Sequence, residues 1–284
     1  MTRTVLACVL LSGTSVGCSD PSPAARDAGR SAAARKAPAK DLPLRGRDLP
    51  VPKKTVRFDA QGVEVVGWLW RGREPAAPAV VLVHQLGSDR REWEPFALRL
   101  RAQGDLHVLA IDLRGHGESV HGPQKAISWT TFAASDWPGV VEDVRAAIRW
   151  LQEGSGLRPS KIGVVGSSIG SSAALLAAVD DATVAAAILL SPGLSYRGLD
   201  TLPALPRWGR RPLLLLAGEG DADSARAVES LAQAASRADR HVYPGVDGHG
   251  VRLAGDAPDL YPRMALWLAG KLGISRASSA APSR

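Results

Sequence analysis

The sequence predicts an α/β fold: a mostly parallel central sheet with helices on both faces, opened by an antiparallel N-terminal hairpin. Three observations carry that expectation. From about Thr55 to Leu272, short apolar runs alternate with longer stretches of helical periodicity. Two of the runs, Ala79-Val80-Val81-Leu82-Val83 and Leu213-Leu214-Leu215-Leu216, are continuously apolar, as strands covered on both faces must be. The 284 residues, 45% of them hydrophobic, also suffice for one large domain of roughly 200–250 residues.

Taken in order, the first two strands are Thr55 to Asp59 and Val63 to Trp70. The turn-forming Asp59-Ala60-Gln61-Gly62 between them makes an edge hairpin. Further strands are expected at Ala79 to His84, Val108 to Leu113, Lys161 to Gly166, Val184 to Ser191, Pro212 to Ala217 and His241 to Tyr243. Helical periodicity falls at Glu94 to Gln103, Asp136 to Gln152, Ile169 to Val179, Ser224 to Ala235 and Leu260 to Leu272. No internal repeat is present.

The ends read differently. Arg3 is followed by the apolar run Thr4 to Leu11, then by mainly small residues up to Cys18, a secretory signal order too short for a permanent span. Residues 1–18 are therefore expected to direct export. Ser15-Val16-Gly17-Cys18 resembles a bacterial lipoprotein cleavage site, which implies lipidation of Cys18 and a cell-envelope location; ordinary cleavage implies a periplasmic or secreted protein. Residues 19–54 are rich in Ala, Pro, Arg and Lys and too poor in large apolar groups to offset ordering entropy, so they read as a basic tether. The folded domain is expected over 55–274, and 275–284 form a small-residue tail.

Charge follows the same division. Residues 1–54 hold ten Lys or Arg against four Asp, so +6 of the formal +7 lies there and the domain is nearly neutral. With no aromatic interleaving in the basic stretch, nucleic acid is not an expected partner. Both cysteines, Cys8 and Cys18, precede the domain, leaving no disulfide or Cys-based metal site within it. No other cluster has metal-ligand spacing, and no cofactor is implied.

The chemistry concentrates at three loops. Lys161-Ile162-Gly163-Val164-Val165 runs into Gly166-Ser167-Ser168-Ile169-Gly170 and then into the helix-prone Ser171 to Ala178. This is G-x-S-x-G in a strand, sharp turn, helix context, in which the turn lifts the central hydroxyl out at the sheet edge. Ser168 is the expected nucleophile. A serine hydroxyl needs a base, and Gly248-His249-Gly250 after the last strand supplies one in a loop free to turn. Between them, the acid-rich Gly218-Glu219-Gly220-Asp221-Ala222-Asp223 offers the group that orients the base, Asp221 first, with Asp223 and Glu219 as alternatives.

These elements resemble the α/β-hydrolase superfamily, in its lidless dienelactone-hydrolase-like or esterase branch, over roughly Thr55 to Leu272. The resemblance implies the order nucleophile, acid, histidine, with the acid closing a Gly-x-x-Asp loop as Asp221 does. His84-Gln85-Leu86-Gly87 resembles the family's His-Gly-x-Gly oxyanion loop, with Gln85 in place of the first glycine. The implied oxyanion donors are the N–H groups of Leu86 and Ile169. Asp112 to Ser119 resembles the family's Arg-Gly-His-Gly-x-Ser turn, a fold-fixing element, and His84 reads as structural. Only nineteen residues, Gly193 to Arg211, precede the next strand, too few for a large helical lid, so an open site is expected. Trp129, Trp137, Tyr196 and Trp208 are candidates to line an acyl pocket. The implied activity is cleavage of small-molecule carboxylic esters; a serine peptidase or amidase, or an inactive binding protein of the same fold, are the alternatives.

Overall fold

The computed structural model describes residues 52–274. The signal-like segment, Cys18, residues 19–51 of the tether and the 275–284 tail lie outside the described residues.

The chain opens with β1 (Lys53–Ala60) and β2 (Val63–Trp70), an antiparallel pair in register from Lys53–Trp70 to Ala60–Val63. Strand β1 thus starts at Lys53, two residues inside the stretch read as tether. The two-residue turn places Gln61 and Gly62 at φ 57° and 84°, the doubly left-handed geometry that matches hairpin twist, and Asp59 Oδ1 accepts the Gly62 N–H.

Then follow β3 (Ala79–Val83), α1 (Glu94–Arg101), β4 (His107–Ile111), α2 (Gly139–Arg149), β5 (Ile162–Ser167), α3 (Ile169–Ala178) and β6 (Val184–Leu190). A miniature hairpin of β7 (Ser195–Tyr196) and β8 (Leu199–Asp200) leads through the four-residue α4 (Leu205–Trp208) to β9 (Leu213–Gly218). The chain closes with α5 (Ala222–Ala234), β10 (Asp239–Tyr243) and α6 (Leu260–Leu272).

Eight strands form one sheet in the order β1-β2-β4-β3-β5-β6-β9-β10. The β1/β2 and β2/β4 pairs are antiparallel and all others parallel. Every residue of β3, β4, β5 and β9 is buried, because helices cover both faces. Side chains alternate between two cores. Val81, Val83, Leu213 and Leu215 pack with α2, α3 and α5, while Val80, Leu82, Leu214 and Leu216 pack with Phe96 of α1 and Met264 and Leu268 of α6. Each Leu or Val so buried contributes about 1.5–3 kcal/mol, which fixes the register.

The Asp112 to Ser119 turn is a fold device, as its resemblance implies. Asp112 accepts the N–H groups of Arg90 and Glu118, both at 2.8 Å, and pairs with the Arg90 guanidinium; Ser119 Oγ takes the Val66 N–H at 2.8 Å. Arg114 binds buried Asp143 of α2 through its N–H at 2.7 Å and its guanidinium at 2.8 and 2.9 Å. No helix among the described residues is long and apolar enough to cross a membrane.

Candidate active site

Four loops meet at the carboxyl ends of the parallel strands, where such sheets carry their sites. The tightest is the β5–α3 turn. An added Cβ on Gly166 would fall 2.1 Å from the Gly170 carbonyl oxygen, and one on Gly170 would fall 2.4 Å from the His84 carbonyl oxygen. Strand, helix and the end of β3 therefore touch backbone to backbone, which only glycine permits. Ser168 bridges them at φ 54°, ψ −122°, a conformation costing a non-glycine residue about 1–3 kcal/mol. Its strain is held by hydrogen bonds on both sides: Ser168 N–H donates to Leu190 O at 2.9 Å, and Ser171 N–H and Oγ bind Ser168 O at 2.9 and 2.6 Å.

The acid and histidine loops are zipped together past β9 and β10. Glu219 N–H donates to Tyr243 O at 2.9 Å, Gly220 N–H to Val246 O at 3.0 Å, and Gly245 N–H to Glu219 Oε2 at 2.7 Å. The zipper brings Asp221 Oδ2 to 2.6 Å from His249 Nδ1. The alternatives are placed elsewhere: Glu219 is engaged with Gly245, and the Asp223 carboxylate is 90% exposed beside Arg226.

The histidine loop is then pinned to the elbow. Gly250, at φ 59°, donates its N–H to Ser191 Oγ at 2.8 Å. Ser168 and Gly250 thus hang from consecutive residues, Leu190 and Ser191, at the end of β6. Among the described residues Ser168 Oγ and the His249 ring are not hydrogen-bonded to each other, and contacts of this kind often tighten only in the complex with substrate. With Nδ1 engaged by Asp221, Nε2 is the nitrogen available to a substrate-side proton.

Across the elbow lies His84-Gln85-Leu86-Gly87. The Leu86 and Ile169 N–H groups have no acceptor among the described residues; elsewhere in the first loop Gln85 N–H donates to Glu92 Oε1 at 3.0 Å and Ser88 N–H to Gln85 O at 3.2 Å. His84 is buried and structural, taking the Leu113 N–H on Nε2 at 2.9 Å and reaching Gln85 O through Nδ1 at 2.7 Å. Burial lowers its pKa to about 4, and that of His116, stacked on Trp129 at 5.3 Å, to about 4 as well.

The four aromatic pocket candidates divide. Tyr196 leans over Gly193 beside the elbow; its hydroxyl donates to Ser191 O at 3.3 Å, and burial raises its pKa against hydrogen bonding by Ser224 and Ser168. Trp129 packs against the oxyanion-type loop, near Gly87. Trp137 is buried against Phe132, with Arg197 over its ring. Trp208 is a correction: it is buried, its Nε1 binds Arg211 O at 2.9 Å, and Arg211 in turn caps the Ala178 and Val179 carbonyls at the far end of α3 from Ser168. It belongs to the core. The Gly193 to Arg211 segment forms no helical lid, yet Ser168 is only 8% exposed, so the site is less open than its short connection suggests.

Ser191 and Glu92 had no sequence signal, because their contacts join residues far apart in the chain. Concavities of about 290 and 620 Å³ flank Phe58 and Asp59, and neither borders Ser168, Asp221 or His249. Among the described residues no group of three or more His, Cys, Asp or Glu side chains is placed to hold a metal.

A sequence model of the alpha/beta hydrolase family matches residues 80–273. An uncharacterised protein of Mycobacterium tuberculosis is 29% identical over 228 residues, spanning 73% of this chain and 76% of its own. Among solved structures, a Pyrococcus furiosus esterase superposes with a TM-score of 0.61 at 19% identity, covering 80% of this chain and 93% of the esterase. A dienelactone hydrolase of Anabaena variabilis superposes equally, TM-score 0.61 at 20% identity, over 79% of this chain and 99% of its own.

Proposed function

Because the chain belongs to the alpha/beta hydrolase family, we propose that it is a serine hydrolase cleaving carboxylic esters through an acyl-enzyme. The observation that carries this reading is the 2.6 Å Asp221–His249 hydrogen bond, set beside a serine held on a strained turn. Asp221 holds the ring with its proton on Nδ1 and stabilises the imidazolium that forms. His249 Nε2 takes the Ser168 proton as Oγ attacks the ester carbonyl. The resulting oxyanion lies against the Leu86 and Ile169 N–H groups and the N-terminus of α3, each donor being worth about 3–4 kcal/mol. Collapse expels the alcohol with the proton from His249; water, deprotonated by the same ring, then releases the acid and restores Ser168.

A panel of p-nitrophenyl esters and aminoacyl anilides tests the reading. Ester turnover that Ser168→Ala abolishes supports it. Faster anilide turnover transfers the same machinery to a peptidase or amidase, and turnover of neither by a folded protein supports an inactive binding protein. The proposal extends to location: Cys18 is lipidated and tethers the domain to a bacterial envelope membrane. Detergent-phase partitioning that Cys18→Ala abolishes supports this, and unchanged partitioning overturns it.

A further inference from the structure

Gln85 stands where the resembling loop carries glycine, and it is bound on every side. Its N–H donates to Glu92 Oε1 at 3.0 Å, its carbonyl accepts from His84 Nδ1 at 2.7 Å and Ser88 N–H at 3.2 Å, and its Oε1 accepts from Ser167 Oγ at 3.4 Å. An added Cβ on Gly250 would fall 2.0 Å from that same Oε1. Gln85 thus bonds the elbow to the oxyanion-type loop and lies close against Gly250 of the histidine loop. Its backbone anchor, Glu92, comes from the 3-10 turn Arg90–Trp93, and Glu92 Oε2 is sealed from solvent without a hydrogen-bond partner among the described residues. A buried, unpartnered carboxylate oxygen is costly when charged and much less so when protonated.

We propose that Glu92 is a positioning residue for acyl transfer, acting through Gln85: as a neutral carboxylic acid it fixes the loop presenting the Leu86 N–H without placing a buried negative charge beside the oxyanion. This rests on the serine-hydrolase reading above. Burial raises the Glu92 pKa to about 7, against the Ser88 hydroxyl and the Gln85 N–H, which lower it; Asp89, on its own turn, raises it further. From α6, Tyr261 faces it, a phenol pushed up to about 12 by its burial and by Glu92. Above about pH 7 Glu92 therefore acquires a charge that opposes the developing oxyanion.

The test compares kcat and KM for p-nitrophenyl butyrate from pH 5.5 to 9 in the wild type, Glu92→Gln, Glu92→Ala and Ser168→Ala, with Tm recorded for each. The wild-type kcat should fall at least about threefold between pH 7 and 9, and Glu92→Gln should keep kcat at pH 7 within about threefold while losing that fall. Glu92→Ala should lose about tenfold or more in kcat with KM within about twofold, since a loop displaced by a fraction of an ångström blunts a donor without removing the binding surface. Identical pH profiles in wild type and Glu92→Gln overturn the proposal, and do so even where Glu92→Ala fails to fold. Full activity in Ser168→Ala would instead remove the underlying reading, and this proposal with it.

Discussion

Gly166→Ala is the sharpest test of how the elbow is built. The added Cβ would lie 2.1 Å from the Gly170 oxygen, 2.4 Å from the Gly170 carbon and 2.5 Å from the Ser171 Cα. All three are backbone atoms, so no side-chain rotation relieves the overlap. Restoring ordinary contact near 3.4 Å requires β5 and α3 to separate by about 1 Å, at the upper end of the roughly 1–3 kcal/mol that overpacking costs. For a domain of this size that lowers Tm by about 6–12 °C. Ser168 lies two residues on, and a displacement of about 1 Å costs on the order of 100-fold in rate. Gly270→Ala, with open space around its Cβ within α6, is the control and should be neutral or stabilising by up to about 1 kcal/mol. Calorimetry and ester turnover of both variants decide the matter: a Gly166→Ala protein with unchanged Tm and rate would refute the close-contact argument.

Three further predictions follow from the same geometry. Asp221→Asn should lower kcat by about 10³–10⁴-fold through loss of the ring's tautomer and charge, whereas Asp223→Asn, exposed beside Arg226, should change it by less than about twofold; comparable losses would reassign the acid. His84 and His116 are neutral in the fold, with pKa lowered by burial from 6.5 to about 4, so their contribution is present above pH 6.5 and lost as pH falls through 4. The loss is on the order of 3 kcal/mol each; His116→Phe should move the acid-unfolding midpoint to lower pH, and an unmoved midpoint would contradict it. Ser191→Ala removes the acceptor of the Gly250 N–H, costing about 1–2 kcal/mol and loosening His249; an unchanged Tm and kcat would show the anchor to be dispensable.

Much of this was legible in the sequence because its signals are local. Alternation of apolar runs with helical periodicity located all eight strands of the main sheet, and the turn-forming Asp59-Ala60-Gln61-Gly62 located the hairpin. Edges moved where hydrogen bonds, rather than hydrophobicity, end an element. Leu113 is apolar and buried, but its N–H serves His84, so β4 stops at Ile111. Asp136 to Pro138 form i to i+3 turns ahead of α2, which begins at Gly139. The β7/β8 hairpin leaves no signal in the sequence, because two-residue strands carry no periodicity. At the site, the elbow, the acid loop and the histidine loop each announce themselves by glycines around a reactive group. Glu92 and Ser191 do not, since their roles arise only when distant segments converge, and Trp208 illustrates the converse: an aromatic side chain looks the same in sequence whether it lines a pocket or fills a core.

The central claim is that one hydroxyl, that of Ser168, performs the covalent step. Fluorophosphonate labelling of the purified protein, followed by peptide mass mapping, tests it directly. The account predicts a single adduct on Ser168, lost in Ser168→Ala and slowed in the His249→Ala variant. An adduct on another residue, or labelling that survives Ser168→Ala undiminished, would contradict it.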